Sequence, residues 1–380
     1  MKSILLKTFF FVFSISIVYS LLSFGASISE KITNENWREL YSKPTKQWPK
    51  PTIDKDVVWQ ELESLDIDTS YYERMEDPKV ILGQMLFFDP KLSGSNQVSC
   101  SSCHDPELAW GDGREVSLGN DHLQGKRNTP SLYNINARKS FFWDGRASTL
   151  EEQAQGPITA HHEMNMDSKS LAKKLKKVKG YAALFQNAYG NADITYEKIL
   201  QSLATFQKTI LSKRSRFDAF VDGDYTQLSD QEIHGLHLFR TKARCINCHS
   251  GKYLTDESFH NIGLTYYKRE FEDLGLYNIT KKAEDVGKFR TPSLRDVMYT
   301  GPWMHNGFFD NMTGIINIYN SGMHMIDPDE AEKAADPLFP KTDVLLQPLN
   351  LDDTEIEALV AFIKTLSGRQ YKMERPQIPR

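Results

Sequence analysis

The sequence predicts a mainly α-helical protein made of two domains that share one plan. Two repeats indicate this plan. The pentapeptide C-x-x-C-H occurs at residues 100–104 and 245–249, and its two copies use all four cysteines of the chain. The motif R-x-T-P-S-L at 127–132 and its counterpart R-T-P-S-L at 290–294 follow the two copies in turn. Segments with helical apolar periodicity surround both pentapeptides, so we expect little β-sheet.

The C-x-x-C-H pattern is the attachment site of a c-type haem. Two thiols three residues apart can bond to the two vinyl groups of one porphyrin, and the next residue then offers its imidazole to the iron. The sequence therefore predicts two covalent haem c groups, bonded to Cys100, Cys103, Cys245 and Cys248 and ligated by His104 and His249. A zinc site or a redox dithiol would also use a C-x-x-C pair, but neither explains why a histidine follows both pairs.

Residues 1–26 have the form of a secretory signal. Lys2 and Lys7 flank the start of an apolar run at 9–24, and the small residues Gly25 and Ala26 offer a cleavage site after it. The run is long for a signal, so an uncleaved membrane anchor is the alternative. In both cases the body of the protein is exported, and covalent haem attachment also fits a bacterial periplasm.

The composition is that of an ordinary soluble protein, long enough for two domain cores. Hydrophobic residues make up 40% of the 380 residues and charged residues 25%, with a formal net charge of −4. This charge argues against a nucleic-acid partner and against broad binding to an anionic membrane. It is compatible with docking of a basic redox protein.

A leader and a series of helices precede the second pentapeptide. The leader at 27–77, polar and rich in Pro, Lys and Trp over its first half, is expected to lie extended on the surface. Asp77 and Pro78 start a helix that ends near Asp89, just before the first pentapeptide. Loops follow, and after them helical stretches are expected from 151 onward, at 168–188 and at 196–220.

Gly223 and Asp224 mark a domain boundary. The chain is therefore divided into an N-terminal haem domain at 78–225, a C-terminal haem domain at 226–370 and a tail at 371–380. A capping box at 229–232 opens the helix that leads into the second pentapeptide. A strongly amphipathic helix at 351–366, with Gly368 after it, ends the second domain. A last helix that packs across the haem-motif helix resembles the c-type cytochrome domain.

Further segments resemble the bacterial di-haem cytochrome c peroxidase family, to which MauG also belongs. The resemblance runs from about residue 78 to 368 and is most specific at F-W-D-G-R-A (142–147), E-E-Q-A (151–154), G-P-I (156–158) and E-M (163–164). It implies that the N-terminal haem is the peroxide site and that the C-terminal haem takes in electrons. It also implies Glu163 as the acid–base carboxylate, Gln153 as a second side chain of the peroxide pocket, and Trp143 as the connection between the haems.

The resemblance implies one calcium ion between the domains as well. Asn128 corresponds to a side-chain ligand, and Thr300 and Pro302 fall where backbone carbonyls complete the site. Three oxygen ligands plus waters make a shell that suits Ca²⁺.

Two positions depart from the typical peroxidase. There, a distal histidine closes the peroxide haem until the enzyme is reduced, but here Asn120 aligns with that position and His122 lies two residues away. At the C-terminal haem, the peroxidases place a methionine as the sixth ligand and MauG a tyrosine. The counterpart in this chain is Tyr319, and Met323, or Met325 behind it, is the alternative if the register slips.

Three functions agree with these features. The first is a periplasmic peroxidase that reduces hydrogen peroxide to water with electrons from a small c-type cytochrome or cupredoxin. The second is a MauG-like enzyme that oxidises side chains of a partner protein through a high-valent iron state, which a tyrosine ligand would help to store. The third, a di-haem electron carrier, would need neither Glu163 nor Gln153. We expect the first, and a homodimer would be in keeping with the family.

Overall fold

The computed structural model describes residues 36–323, 329–370 and 373–380. These residues form a mainly α-helical protein, as the sequence predicts, with one short antiparallel pair of strands, β1 (Phe259–His260) and β2 (Phe289–Arg290). No helix among them is long and apolar enough to cross a membrane. The predicted signal or anchor at 1–26 and the alternative ligand Met325 lie outside the described residues.

The helices are short and separated by long loops. Those of the first half are α1 (Trp37–Tyr41), α2 (Tyr71–Met75), α3 (Pro78–Phe88), α4 (Leu150–Thr159), α5 (Ser168–Leu175), α6 (Tyr181–Tyr189) and α7 (Tyr196–Gln207). Those of the second half are α8 (Arg216–Val221), α9 (Asp230–Arg240), α10 (Tyr277–Thr280), α11 (Met312–Asn320), α12 (Glu330–Ala335) and α13 (Asp353–Lys364). Each C-x-x-C pair begins in a 3-10 turn, at Cys100–Ser102 and Cys245–Asn247.

Caps at three helix starts confirm the sequence prediction. Asp77 caps α3 with its side chain, one residue before the proline that opens the helix. Ser229 forms the predicted capping box with Glu232 at α9. Asp352 forms a capping box with Glu355 at α13. Local sequence therefore sets where these helices begin.

The long helices predicted at 168–188 and 196–220 are each broken into two. Gly180, at φ +96°, turns the chain between α5 and α6, since this backbone conformation is open to glycine. Ser215 forms a capping box with Asp218, so the chain leaves helix after α7 and enters it again at α8. The sequence prediction joined the pieces because apolar residues recur on both sides of each break.

Both domains are organised around two crossing helices, and each crossing requires a glycine. In the N-terminal domain α3 crosses α7, where a Cβ on Gly83 would lie 2.0 Å from the Ser202 carbonyl oxygen. In the C-terminal domain α9 crosses α13, where a Cβ on Gly235 would lie 1.9 Å from the Ala358 carbonyl oxygen. Because α3 and α9 each lead into a C-x-x-C-H motif, the two crossings position the two motifs in the same way.

Two hydrophobic cores fill the domains. The last residue in sequence among the buried residues of the first core is Ile210, whereas Phe217 and Phe220 of α8 belong to the second core. The cores therefore divide between Ile210 and Phe217, earlier in the chain than the predicted boundary at 225. The reason is that α8 packs into the second core.

The described part of the leader and the tail each pack against the domain that is distant in sequence. The leader does not lie on the surface as predicted, because Tyr41, Trp48 and Leu62 are buried in the second core. Its aromatic side chains bury a segment whose overall composition is polar. In the tail, Met373 and Ile378 pack against the first core. Each terminus thus helps to hold the domain that is distant from it in sequence.

Polar contacts join the domains. Arg127 makes a bidentate ion pair with Asp273, with Nε–Oδ2 at 2.6 Å and Nη2–Oδ1 at 2.8 Å. The backbone N–H of Arg290 donates to the carbonyl of Trp143 at 2.9 Å. These contacts hold the loops after the first haem motif against those after the second.

Candidate functional site

Each pentapeptide presents its histidine in the same way. His104 Nδ1 lies 2.9 Å from the carbonyl oxygen of Trp110, and His249 Nδ1 lies 3.0 Å from that of Leu254. An Nδ1–H that donates to a carbonyl leaves Nε2 of the neutral ring free to ligate a metal. Burial lowers the pKa of both imidazoles and so favours the neutral form. Both histidines are therefore arranged as axial ligands.

The two C-x-x-C pairs line two different cavities. Within the described part of the chain, one group has metal-ligand spacing, Cys248 with Asp256 and His260. This group contains only one cysteine. Among the described residues, neither C-x-x-C pair therefore forms a zinc site with the histidine that follows it.

The first cavity has a volume of about 1250 Å³ and is lined by His104, Gln153 and Glu163 together. The predicted acid and the predicted amide thus share a cavity with the first haem motif. Burial raises the pKa of Glu163, while the charges of His162 and Arg146 oppose this rise. A carboxyl group with a raised pKa is better suited to general acid–base catalysis near neutral pH than an ordinary glutamate.

The loop at 119–123 does not bring a histidine to this cavity. His122 is exposed and does not line it. Asn120 is buried, and its backbone N–H donates to the carbonyl of Glu163 at 2.7 Å. The loop therefore supports the segment that carries Glu163.

The second cavity is smaller, with a volume of about 240 Å³, and is lined by His249 and Tyr319. Burial, together with the nearby cysteines of the second motif, raises the pKa of the Tyr319 phenol. Met323 is buried but is not part of the cavity wall. Met304 and Met312 are part of it and offer thioether sulfurs that the sequence analysis did not consider.

Trp143 lines both cavities. Its indole Nε1–H donates to the carbonyl of Asn128 at 2.9 Å, and its ring meets that of His305 edge-on with 6.4 Å between the ring centroids. An aromatic ring therefore occupies the wall between the two haem motifs, as the resemblance implies.

The three residues predicted to bind calcium lie on the wall of one cavity. Asn128, Thr300 and Pro302 all line the second cavity. The Asn128 side chain is oriented by a hydrogen bond from Nδ2 to the carbonyl of Arg114 at 2.9 Å. Among the described residues, no group of three acidic or imidazole side chains accompanies them, so a cation here would rest mainly on neutral oxygens.

Arg138 provides evidence that the two cavities can hold haem. Arg138 lines both cavities, and its Nη2 donates to the carbonyl of Ser131 at 2.9 Å. Burial and the neighbouring Arg290 lower the pKa of Arg138 to about 9. The carboxylate that opposes this fall, Glu257, pairs with Arg290 at 3.1 Å. A guanidinium buried beside a second one is stabilised by a further anion, and the propionates of a haem supply such anions.

Comparison with known proteins identifies the family. Residues 77–226 match the family model described as di-haem cytochrome c peroxidase. The methylamine utilization protein MauG of Methylophilus methylotrophus is 37% identical over 305 residues, which cover 79% of this chain and 86% of that protein. The chain belongs to the di-haem cytochrome c peroxidase family. The resemblance seen in the sequence motifs is confirmed.

Other relatives of this di-haem peroxidase carry peroxidase names. Cytochrome-c peroxidase IdrP2 of Pseudomonas sp. strain SCT is 36% identical over 325 residues, covering 78% of this chain and 83% of that protein. Cytochrome c551 peroxidase of Nitrosomonas europaea is 31% identical over 299 residues, covering 78% and 82%. A solved structure, a MauG-like protein associated with microbial copper homeostasis, matches with a TM-score of 0.68 and 29% identity over 84% of this chain and 93% of that one. The protein is therefore an oxidoreductase of the peroxidase type, with two haem c groups.

Two cavity residues of this di-haem peroxidase were not predicted from the sequence. Arg138 carries no local signal, because its role depends on burial between two domains. His162 does carry one, since it directly precedes the candidate acid Glu163. Arg127 and Arg290, the first residues of the two repeated motifs at 127–132 and 290–294, are paired with carboxylates of the protein itself.

Proposed function

We propose that the protein is a periplasmic peroxidase that reduces hydrogen peroxide to two waters with two electrons from a small c-type cytochrome or cupredoxin. The observation that carries this proposal is the position of Glu163 on the wall of the cavity that also holds Cys100, Cys103 and His104. The haem bound there supplies the iron at which peroxide reacts. An electron carrier without catalysis would need no acid on the wall of its haem cavity.

Glu163 has the proton-transfer role. Cleavage of the O–O bond needs a proton moved from one peroxide oxygen to the other, so that water leaves rather than hydroxide. A carboxylate can accept this proton and return it. Gln153 on the same cavity wall would orient peroxide through its amide, and Trp143 would shorten the distance that electrons cross from the second cavity to the first.

The substitution Glu163→Gln tests this role, because it keeps the shape of the side chain and removes the acid. We expect peroxide-dependent oxidation of a reduced small c-type cytochrome by the holo-protein to fall by about 10²–10⁴-fold. Glu107→Gln, at an exposed glutamate of the same domain, is the matched control and should turn over like the wild type. Turnover by the Glu163 variant equal to that of the control would refute the assignment.

A second function is favoured by Tyr319 at the second cavity. An anionic phenolate oxygen stabilises ferric iron, whereas a thioether favours the ferrous state. A second haem ligated by Tyr319 would thus be a poor electron acceptor, which suits a MauG-like enzyme that oxidises side chains of a partner protein. Negligible turnover with every small redox donor, together with a long-lived oxidised spectrum after peroxide alone, would support this function over the first.

The substitution Tyr319→Met tests the ligand itself. We expect the reduction potential of the second haem to rise and electron uptake from a small cytochrome to become faster. Tyr299→Met, at a tyrosine that is 42% exposed, is the control and should leave the potential unchanged. An optical redox titration measures both, and equal potentials in wild type and Tyr319→Met would show that another group ligates the iron.

The remaining proposals rest on the sequence patterns. Residues 1–26 would export the chain to the periplasm as a cleaved signal or hold it there as an anchor. Asn128, Thr300 and Pro302 would hold one Ca²⁺ between the domains, supported by their place on one cavity wall. The protein would form a homodimer, as members of the family often do.

A further inference from the structure

His162 lies beside the proposed acid, and the mechanism above does not use it. Its Nε2 is 3.6 Å from Glu163 Oε1. His162 lines the first cavity, yet 43% of its side chain is exposed. The imidazole is therefore part of the cavity wall and is also accessible to solvent.

The backbone holds this pair in place. The N–H of Glu163 donates to the carbonyl of Ala160 at 3.0 Å, and the carbonyl of Glu163 accepts from Asn120 at 2.7 Å. At Gly119 a Cβ would lie 2.2 Å from the carbonyl oxygen of His162, so the neighbouring loop packs directly on this segment. The backbone of residues 162–163, from which both side chains extend, is thus held by contacts on both sides.

Other charged groups face the pair from neighbouring elements. Arg146 acts on Glu163 and is itself paired with Asp144 at 3.0 Å. Arg114 lines the same cavity. His161, the adjacent imidazole, is exposed and does not line the cavity. Of the two adjacent histidines, His162 is thus the one that lines the cavity and lies close to the acid.

We propose that His162 relays protons between bulk water and Glu163. The inference rests on the proposed role of Glu163 in peroxide reduction. Each turnover consumes one hydrogen peroxide, two electrons from the redox donor and two protons from water, and it yields two waters. Glu163 transfers protons to the peroxide oxygens, and His162 replaces them at the Glu163 carboxylate. His162 therefore acts on the reaction only through Glu163.

Cyanide binding tests the relay without an electron donor or peroxide. Hydrogen cyanide must give up its proton when it binds ferric haem, so a proton path from the cavity to water limits the rate when buffer is dilute. We expect His162→Gln holo-protein to bind cyanide about tenfold more slowly than the wild type at pH 7. Added phosphate, a small proton carrier, should restore the rate. Wild type and His161→Gln, the matched control, should be fast at all phosphate concentrations.

Three results would overturn the relay. The first is an equal rate in His162→Gln and wild type in dilute buffer. The second is a slow rate that phosphate does not restore, since a residue that merely shapes the cavity would behave in this way. The third is loss of haem from both His162→Gln and His162→Asn while His161→Gln remains loaded. Because no donor is needed, failure of the relay is distinguishable from failure of the proposed peroxidase activity.

Discussion

Replacing Gly235 by alanine tests the helix crossing that positions the second haem motif. A Cβ at this residue would lie 1.9 Å from the carbonyl oxygen of Ala358, whereas ordinary contact begins at 3.4 Å. Helices α9 and α13 must therefore separate by about 1.5 Å, the difference between these distances. The obstacle is backbone, so no side-chain rotation relieves it.

The cost can be set against the gain from helix propensity. Overpacking of this kind costs about 1–3 kcal/mol and occasionally more. Alanine in place of glycine within a helix returns up to about 1 kcal/mol. We expect a net loss of about 2 kcal/mol, which lowers the melting temperature by roughly 4–8 °C for a domain of this size. Because α9 leads into Cys245, the visible spectrum of the second haem should also change.

The assay is thermal unfolding of the holo-protein, followed by circular dichroism and by the haem absorption bands. Gly314→Ala in α11 is the matched control, because the nearest atom to its added Cβ is 3.8 Å away. This control should be as stable as the wild type or slightly more stable. Gly83→Ala, at the corresponding crossing in the first domain, should instead disturb the first haem. A Gly235→Ala protein with wild-type melting and spectrum would refute the close crossing of α9 and α13.

Two further predictions concern buried charges. Asp218→Asn should destabilise the protein by about 3–5 kcal/mol in denaturant unfolding, because its partner Arg295 is 1% exposed and would keep an uncompensated charge; a loss below 1 kcal/mol would contradict this. Although burial opposes it, hydrogen bonds to Asp256 and Asp343 hold the pKa of His260 above its ordinary 6.5. The free energy that these hydrogen bonds add to folding is complete below pH 6.5 and is lost as the pH rises through the raised pKa of His260. Melting temperatures between pH 6 and 10 should therefore fall less steeply in His260→Gln than in the wild type, and parallel curves would contradict the assignment.

Local chemistry allowed much of the site to be predicted from the sequence. The C-x-x-C-H motifs are specific enough to predict haem c from the sequence alone. The caps at Asp77 and Ser229 determine where their helices start, through hydrogen bonds between residues less than four positions apart. Motif resemblance also placed Glu163 and Gln153, which the fold brings into one cavity. These predictions depend on residues that are close in sequence or on motifs of high specificity.

The features that were missed depend on contacts between distant segments. The leader was predicted to lie on the surface, yet the side chain of Trp48 is only 6% exposed because the second core receives it. The breaks at Gly180 and Ser215 depend on backbone direction, which apolar periodicity does not record. Arg138 gains its role from two cavities in two domains, and no local pattern marks it.

The two departures from the typical family pattern affect the same property, which is the state in which the protein meets peroxide. In the typical peroxidase a distal histidine closes the peroxide haem until the enzyme is reduced. Here the backbone N–H of Asn120 is hydrogen-bonded to the carbonyl of Glu163, and His122 is exposed. We therefore expect the first cavity to admit peroxide before any electron arrives. At the second cavity, a phenolate from Tyr319 would favour ferric iron, so reduction by a donor would not be the step that prepares the enzyme. Both features favour a protein that reacts with peroxide while oxidised and draws its electrons afterwards. The identity of the group at the Tyr319 position therefore decides whether those electrons come from a small redox protein or from the side chains of a partner.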